Sequence, residues 1–267
     1  MKNSACFFAT LLGALVLFIS PSSTAGNPVL NEKGHEHKAV LVELFTSEGC
    51  SSCPPADEVL TRLQREQPVP NVHIITLSEG VTYWDYLGWK DPLASETYTR
   101  RQSGYASALR RPNLYTPQMV VDGKTEFVGS NFEQAKNAIR AAAIADKAKL
   151  QATAKWQVGK INVSAELHFR DGKPVEGYSL FAAVVEDNVV TSVARGENSG
   201  RRLAHHSVAR ELLKLGQSSS VASGLKLERQ IEAKSGWSKQ NLRIVLFAQN
   251  EISKSILGCT ECAIVSN

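Results

Sequence analysis

The arrangement of the cysteines constrains this chain more than any other feature of its sequence. Four of the five cysteines form two C-x-x-C pairs, Cys50-Ser51-Ser52-Cys53 and Cys259-Thr260-Glu261-Cys262. Residues 39–45, before the first pair, are almost all apolar, and from Ala56 onward apolar residues recur at i, i+3, i+4 and i+7. The apolar run predicts a buried strand, and the recurrence predicts an amphipathic helix. The first pair therefore lies where a buried strand turns into a helix.

Residues 1–25 predict a secretory signal peptide. Lys2 is the only charged residue before Glu32, residues 7–19 are apolar but for Thr10 and Gly13, and small residues precede residue 26. An apolar helix of this length rises only about 20 Å, short of the ~30 Å hydrocarbon core. We expect cleavage that also removes Cys6, a secreted and periplasmic protein, and no stable membrane insertion afterwards. An uncleaved anchor is the alternative.

Composition excludes several classes of protein. The 267 residues include 30 Lys and Arg against 26 Asp and Glu, and 43% of them are hydrophobic. This is ordinary globular composition, and the small basic excess gives no reason to expect a nucleic-acid partner. The sequence contains no G-x-S-x-G, G-x-x-x-x-G-K or G-x-G-x-x-G motif. These absences give no sign of a serine hydrolase or of a nucleotide-binding protein, and we expect neither an organic cofactor nor a resident metal, with zinc at the cysteines as an alternative taken up below.

The periodicity of the sequence changes at about Leu150. After a flexible arm at 26–38, residues 39–149 alternate predicted strands and helices. Beyond Leu150, apolar and polar residues alternate on both sides of a Gly159-Lys160 turn, which is typical of an antiparallel hairpin. We therefore predict an α/β domain at 39–149 and a β-rich domain, most simply a sandwich, at 150–267.

The position of the first pair predicts a reactive dithiol. Free N–H groups and the dipole at a helix N-terminus favour an anion, so they lower the pKa of a thiol placed there. Cys50 would then attack a disulfide, and Cys53 would resolve the mixed disulfide. A structural disulfide and half of a zinc site are the alternatives, although zinc knuckles usually lie only about 15–20 residues apart.

The order of elements from Val40 to Ala142 resembles the thioredoxin fold. That resemblance implies a cis peptide bond at Thr116–Pro117 and a place for Pro117 in the site, where it would shape the substrate contact. It also makes Glu43 a candidate for a buried acid behind the resolving cysteine, at a spacing one residue longer than usual.

A closer resemblance is to the secreted thioredoxin-like family catalogued as domain of unknown function 1223. The residues that carry it are VELFTSEGCSSCPPAD at 42–57, YWDYLGWKDP at 83–92, YTPQMVVDG at 115–123 and RGEN at 195–198. The family usually has His-Val-Asp where this chain has Gly80-Val81-Thr82, so no role of that His and Asp carries over. Cys259 and Cys262 are also additions to the family pattern.

The second pair is ambiguous. Residues i and i+3 of a strand lie about 10 Å apart on opposite faces, whereas bridged cysteines need Cα atoms within about 7 Å. A bond between Cys259 and Cys262 therefore requires a turn or a helical loop. A local clamp on the chain end, a second dithiol that relays electrons to the first, and zinc shared by both pairs remain open.

The remaining candidates are weaker. Aromatic residues at 83–89 could line a peptide groove, but packing is the more common role of such residues. His35 and His37 make a poor metal site, and His205 and His206 are predicted to be structural. The function we expect is thiol–disulfide exchange with protein or small thiol and disulfide substrates. The rival is a binding or assembly module with an inert Cys50–Cys53 bond.

Overall fold

The computed structural model describes residues 38–169, 177–218 and 225–266. The predicted signal peptide and the predicted arm up to residue 37 lie outside the described residues, and Cys6, His35 and His37 lie there with them.

The described residues form strands β1–β13, helices α1–α3 and two short 3₁₀ helices. The strands are β1 Lys38–Thr46, β2 Val72–Gly80, β3 Gln118–Val121, β4 Thr125–Val128, β5 Lys149–Gln157, β6 Lys160–His168, β7 Tyr178–Glu186, β8 Val189–Ser192, β9 Arg202–His205, β10 Val208–Ser218, β11 Leu225–Glu232, β12 Leu242–Asn250 and β13 Ile256–Ser266. The helices are α1 Pro54–Glu66, α2 Glu96–Ala108 and α3 Phe132–Ala142, with 3₁₀ turns at Thr82–Leu87 and Lys239–Asn241.

Most strands belong to a single mixed sheet, so the predicted fold class is wrong. The described residues form an 11-stranded sheet in the order β11-β6-β5-β13-β12-β7-β10-β2-β1-β3-β4, while β8 and β9 form a separate two-stranded ribbon. A thioredoxin-like α/β domain followed by a separate sandwich would have kept the two sets of strands apart. Strand alternation identified which faces are buried, but it does not specify which strands pair.

The two sets of strands meet at β2 and β10. These strands run parallel, Val208 pairs with Ser78, and the Ser78 N–H donates to the Ser207 carbonyl over 2.7 Å. The Thr76 and Ser207 hydroxyls also form a hydrogen bond of 2.6 Å. This junction makes the sheet continuous across the change in periodicity at Leu150.

The apolar run around residues 39–45 becomes a central strand because both of its faces are covered. One face of β1, with Val40, Val42 and Leu44, packs against the apolar faces of α1 and α3. The opposite face, with Leu41, packs against residues of β2, β7 and β12. A strand buried on both sides reads as continuous apolar sequence, which explains why no alternation is visible there.

The other half of the sheet curves over itself. Alternate residues of β7 and β12 pack against β5 and β6, in one cluster that includes Leu180, Ile244 and Ile161. The intervening residues, such as Ala183 and Val245, face β1 and β2. The β-rich half therefore has its own apolar core while sharing the central strands with the first half.

Local predictions were mostly confirmed. Strands β5 and β6 form the predicted hairpin. The apolar run at 39–45 lies within β1, and the predicted helix after the first cysteine pair is α1. The N-cap of α3 is Asn131, whose Oδ1 accepts from the Gln134 N–H over 3.0 Å.

Candidate functional site

Cys50 and Cys53 form a disulfide in the loop between β1 and α1, with their Cα atoms 5.5 Å apart. Two turns shape this loop: the Cys50 N–H donates to the Ser47 carbonyl, and the Cys53 N–H donates to the Cys50 carbonyl, each over 3.2 Å. Both cysteines are 0% exposed, whereas Ser51 and Ser52 between them are exposed. The disulfide is therefore formed, but neither of its cysteines is accessible to solvent.

The start of α1 offers fewer free N–H groups than the sequence suggested. Cys53 is the N-cap, and the first two helical positions are Pro54 and Pro55, which carry no N–H. The next two N–H groups, of Ala56 and Asp57, both donate to the Cys53 carbonyl. Stabilisation of a thiolate at Cys50 therefore cannot come from these amides and must come from the helix dipole and from nearby side chains.

One such side chain is Ser52. Its Oγ lies 3.3 Å from the Cys50 Sγ. Because a disulfide sulfur carries no hydrogen, the hydroxyl is the donor. The same O–H can donate to a thiolate after reduction, and a donor to the charged form lowers the pKa of a thiol. This contact distinguishes Cys50 from Cys53 and supports Cys50 as the more acidic of the two.

A buried cluster of three acids and a histidine lies beside the loop. Glu48, Asp91 and His205 are 2%, 5% and 4% exposed, and the Asp57 Oδ1 is buried with no hydrogen-bond partner of good geometry. The members come from four segments: the turn after β1, helix α1, the loop before α2, and β9. Sequence analysis did not identify this cluster, because four separate segments of the chain contribute its members.

Hydrogen bonds orient Glu48 at the centre of this cluster. Its Oε1 is 3.1 Å from the His205 Nε2, and its Oε2 accepts from the Trp89 indole N–H over 2.8 Å. The Asp91 Oδ2 accepts from the Glu48 backbone N–H over 2.9 Å. A cavity of about 10 Å³ lies between these side chains, about the volume that one water molecule needs.

Burial and charge shift the pKa values of the cluster in different directions. Burial raises the pKa of Asp57 to about 6 and also raises that of Asp91. Burial alone would raise the pKa of Glu48, but hydrogen bonds from His205, Trp89 and Thr191 bring it below its usual value. Burial alone would lower the pKa of His205, but Glu48 and the neighbouring acids raise it. Both shifts favour the ionised forms of Glu48 and His205, which face each other, whereas burial favours the protonated form of Asp57.

Asp57 is adjacent to the resolving cysteine. The backbone of Cys53 is already helical, and the Asp57 N–H donates to its carbonyl over 3.1 Å. Side chains at i and i+4 of a helix lie on the same face. Sequence analysis could have identified Asp57 from its position four residues after Cys53, but it selected Glu43 as the candidate acid.

A turn from the second half of the chain covers the cysteine loop. The Glu197 Oε2 accepts from the Ser51 N–H over 2.9 Å and from the Ser51 hydroxyl over 2.6 Å. The Asn198 Nδ2 donates to the carbonyls of Glu48 and Cys50, each over 2.9 Å. The RGEN motif thus contacts the C-x-x-C loop directly, although about 150 residues separate them in the sequence.

The aromatic residues at 83–89 are mostly packing residues. The Trp84 indole N–H donates to the Thr116 hydroxyl over 2.7 Å, and a Cβ on Gly49 would lie 3.1 Å from the Trp84 Cβ, so the loop backbone approaches this ring closely. Trp89 binds Glu48, and the Tyr83 hydroxyl is buried. Only Tyr86, 78% exposed, has a largely solvent-accessible ring.

Comparison with known proteins identifies the family. The profile described as "Protein of unknown function (DUF1223)" matches residues 41–249. The chain belongs to this family. A comparison with curated proteins finds no match.

Solved structures share the fold of this DUF1223 member. A crystal structure of a protein from Agrobacterium tumefaciens is 24% identical, with a TM-score of 0.64 over 85% of this chain and 95% of that chain. HBP35 of Porphyromonas gingivalis is 15% identical, with a TM-score of 0.65 over 85% of this chain and 76% of that chain. At these identities the likeness concerns the fold alone.

The predicted cis bond at Thr116–Pro117 is present. Pro117 is buried, and its carbonyl accepts from the Gly129 N–H over 3.0 Å. Trp84 connects this region to the cysteine loop, since it contacts both Thr116 and Gly49. A role of Pro117 in shaping the substrate contact stays a prediction.

Glu43 is buried, but its partners lie elsewhere. Its carboxylate accepts from the Arg101 Nε over 2.5 Å and from the Tyr105 hydroxyl. The Glu79 Oε1 lies 3.5 Å from the same Arg101 Nε, and burial together with the charge of Glu43 raises the pKa of Glu79 well above its usual value. Glu43 is therefore buried, as predicted, within an ion cluster around Arg101, and a role of Glu43 behind Cys53 stays a prediction.

Cys259 and Cys262 are free thiols on strand β13. Cys259 packs between β1, β2 and β12, whereas Cys262 faces the core formed with β5 and β6. Burial raises the pKa of each thiol to about 12. The local clamp is therefore not formed. Shared zinc finds no support either, since the described residues contain no group of three or more His, Cys, Asp or Glu arranged to hold a metal.

Among the described helices, none combines the length and apolar character that a membrane crossing requires.

Proposed function

We propose that this protein is a thiol–disulfide oxidoreductase that works outside the cytoplasm and exchanges disulfides at Cys50 and Cys53. The observation that carries the proposal is the Cys50–Cys53 bond, closed within one loop, with the Ser52 hydroxyl on Cys50 and the half-buried Asp57 one helical turn after Cys53. A dithiol stores two electrons by itself, so the reaction needs no organic cofactor.

In the first step, the Cys50 thiolate attacks one sulfur of a substrate disulfide. A Cys50–substrate disulfide forms, the substrate S–S bond breaks, and its second sulfur leaves with the electron pair. Cys53 then attacks the Cys50 Sγ, the internal disulfide forms, and the first substrate sulfur leaves as a thiolate. Two electrons and two protons pass from the protein to the substrate. The opposite direction uses the same steps in reverse, with a protein or small-molecule dithiol as the reductant.

Asp57 supports this assignment of roles. Cys53 must lose its proton before it attacks, yet it is 0% exposed. A carboxylate with a pKa of about 6, one helical turn away, is ionised at neutral pH and can accept that proton. The Ser52 hydroxyl meanwhile lowers the pKa of Cys50, so each cysteine has a neighbour suited to its task.

An oxidising compartment fits the same proposal. Disulfides persist in the periplasm and outside the cell, whereas cytosolic thiols are kept reduced. The predicted signal peptide at 1–25 would direct the chain there. Its substrates would be thiol or disulfide groups of proteins or small molecules.

The second candidate is a binding or assembly module on the same scaffold, with an inert disulfide. The complete burial of both sulfurs favours it, because reactive cysteines are usually partly exposed. The difference between the two candidates is therefore whether the bond can be opened and closed by exchange.

The discriminating experiment uses oxidised glutathione as a defined disulfide. Reduced Cys53→Ser protein should accumulate a mixed disulfide of glutathione on Cys50, visible as a mass shift of the intact chain. Reduced Cys50→Ser protein is the matched control and should gain the adduct far more slowly, since it lacks the attacking thiol. Equal and slow modification of both variants would reject exchange and leave the binding module.

A further inference from the structure

The residues around Glu197 form a turn that closes the site; we refer to residues 195–200 as the Glu197 turn. Its side chains form four hydrogen bonds with the cysteine loop: two from Ser51 to Glu197, and two from Asn198 to the carbonyls of Glu48 and Cys50. Every one of these bonds joins the turn to the backbone or hydroxyl groups that surround Cys50. The turn and the loop therefore hold each other in place.

The two contact residues of the turn differ in burial. Asn198 is 0% exposed, and its Oδ1 accepts from the Arg201 guanidinium over 2.8 Å, so the side-chain amide is fully bonded. Glu197 is exposed to solvent and has Ser51 as its partner. Asn198 is thus a fixed anchor, whereas the contact of Glu197 can break without exposing a buried group.

The connection of the turn to the rest of the molecule allows such movement. The turn joins β8 to β9, a two-stranded ribbon outside the 11-stranded sheet. Gly196 and Gly200 adopt φ values of +81° and +79°, which bend the chain tightly at both ends of the turn. Displacement of Glu197 therefore breaks no hydrogen bond of the main sheet.

We propose that the Glu197 turn is a latch over the Cys50–Cys53 disulfide, and that release of Ser51 by Glu197 opens the path of an attacking thiolate to the Cys50 Sγ. The attack forms a bond from the incoming sulfur to Cys50 and breaks the Cys50–Cys53 bond, with the electron pair leaving on Cys53. The latch explains how a fully buried disulfide can still exchange. Its role in turnover rests on the proposed function, whereas its effect on access does not.

Acidity alone does not open this latch at neutral pH. The hydrogen bonds from Ser51 lower the pKa of Glu197 below its usual value. The contact is therefore complete above the usual pKa of a glutamate and is lost only as the pH falls through the lowered value. Opening near neutral pH must come from thermal motion or from a substrate that competes for Glu197 or Ser51.

The test measures the rate at which dithiothreitol reduces the Cys50–Cys53 bond of the full chain. Dithiothreitol supplies both electrons: one thiolate attacks Cys50, and the second closes its ring and releases the Cys50 thiolate. Glu197→Ala should raise the rate constant about tenfold, the effect of losing charge-assisted hydrogen bonds. Glu197→Gln should raise it less, because the amide oxygen can still accept from Ser51. Glu228→Gln, an exposed acid on β11, is the matched control and should leave the rate unchanged.

Hydrogen exchange separates a latch from general loosening. In Glu197→Ala the Ser51 amide should exchange faster, while amides of β1 and α1 keep the rates they have in the unsubstituted protein. Faster exchange throughout β1 and α1 would mean that the substitution merely destabilises the fold, and it would overturn the proposal. So would a reduction rate in Glu197→Ala that equals that of the Glu228→Gln control.

The outcomes also separate the latch from the proposed function. If Glu197→Ala speeds reduction by dithiothreitol but reduced Cys53→Ser forms no adduct with glutathione, the results support the latch and reject the oxidoreductase. If the adduct forms but Glu197→Ala leaves the reduction rate unchanged, the results support the oxidoreductase and reject the latch.

Discussion

The two C-x-x-C segments have the same spacing and opposite structures. Cys50 and Cys53 lie on a turn that leads into α1, where their Cα atoms are 5.5 Å apart and a disulfide forms. Cys259 and Cys262 lie on β13, opposite Phe247 and Ile244 of β12, and their side chains enter two different cores. The spacing alone does not make a dithiol. The backbone decides, because a turn brings residues i and i+3 together and a strand sends them to opposite faces.

The charged groups near the two segments differ as well. Burial raises the pKa of Asp57, beside Cys53, to about 6. Burial alone would raise the pKa of Glu261, between Cys259 and Cys262, but hydrogen bonds and ion pairs with His73 and Arg243 lower it. Glu261 is thus committed to a structural network, whereas Asp57 is available for proton transfer. The comparison separates a candidate reactive site from a pair of cysteines buried in the packing of the sheet, and four experiments test it.

The largest expected difference is in alkylation. After mild reduction, iodoacetamide at neutral pH should label Cys50 about 10³-fold faster than Cys259 or Cys262. A thiol with a pKa of about 12 has that much less thiolate than one at the usual ~8.5. Mass spectrometry of peptides gives the rate at each site, with the denatured protein as the control in which the rates converge. Rapid labelling of Cys259 or Cys262 in the native protein would show that these thiols are reactive. It would then favour the hypothesis that they relay electrons to Cys50 and Cys53.

Asp57→Asn should give the next largest effect, on stability. The folded pKa of Asp57, about 6, exceeds its ordinary value of 3.8, so the folded state retains a proton that the unfolded state has lost between these values. Stability therefore falls as the pH rises from about 4 to about 6, and the ionised carboxylate costs about 3 kcal/mol at pH 7. Asp57→Asn should raise the free energy of unfolding at pH 7 by up to that amount and change it little at pH 4.

Urea unfolding across this pH range measures the effect of Asp57→Asn. Asp146→Asn, at a side chain that is 78% exposed, is the matched control and should leave the pH dependence as it is. If the free energy of unfolding of Asp57→Asn changes between pH 4 and 6 as steeply as that of the unsubstituted protein, Asp57 does not titrate in this range.

Cys259→Ser should destabilise the protein by about 1–3 kcal/mol, because a hydroxyl buried among apolar side chains loses its hydrogen bonds with water. Cys262→Ser should cost less, since Cys262 is only half-buried. Both variants should keep the reduction rate of Cys50–Cys53 unchanged. Chemical denaturation gives the stabilities, and a slower reoxidation of the first pair in either variant would contradict a purely structural role of the second.

The smallest effect is expected from Ser52→Ala, which removes the hydroxyl donor to the Cys50 Sγ. One hydrogen bond to a charged group is worth about 1.5 kcal/mol, so the pKa of the Cys50 thiol should rise by about one unit. The pH dependence of alkylation at Cys50 measures this shift. Ser51→Ala is not a neutral control, because Ser51 binds Glu197; Ser235→Ala, at an exposed serine between β11 and β12, serves instead. An unshifted profile would leave only the helix dipole to activate Cys50.

Much of this fold could be predicted from the sequence, because local patterns decide local structure. The strand β1 follows from the apolar run at 39–45, and the β5–β6 hairpin follows from alternation around Gly159. The first cysteine pair and the cis bond before Pro117 were also correctly placed. Each of these features depends on residues close together in the chain or on the family resemblance.

Features that depend on distant pairing could not be predicted. Nothing in β10 indicates that Val208 will pair with Ser78, so the sequence suggested two units where one sheet exists. Asn198 and His205 reach the cysteine loop only because that pairing brings β9 beside α1. The strand at β13 was obscured because its cysteines suggested a loop. In each case the sequence shows which chemical group a residue carries, but it does not show which residues lie next to that group in the folded protein.

The site combines a cysteine loop from the first half of the chain with a turn from the second half, and this has a consequence for biosynthesis. A ribosome that adds about 5–20 residues per second takes roughly 8–30 s to extend the chain from Cys53 to His205. During that interval the nascent cysteine loop has neither Glu197 nor Asn198 to cover it. A chain that is exported while it is being synthesised would therefore present both thiols to an oxidising enzyme before the segment that covers them has been made. The disulfide could then form early, with a catalyst too large to reach it in the folded protein.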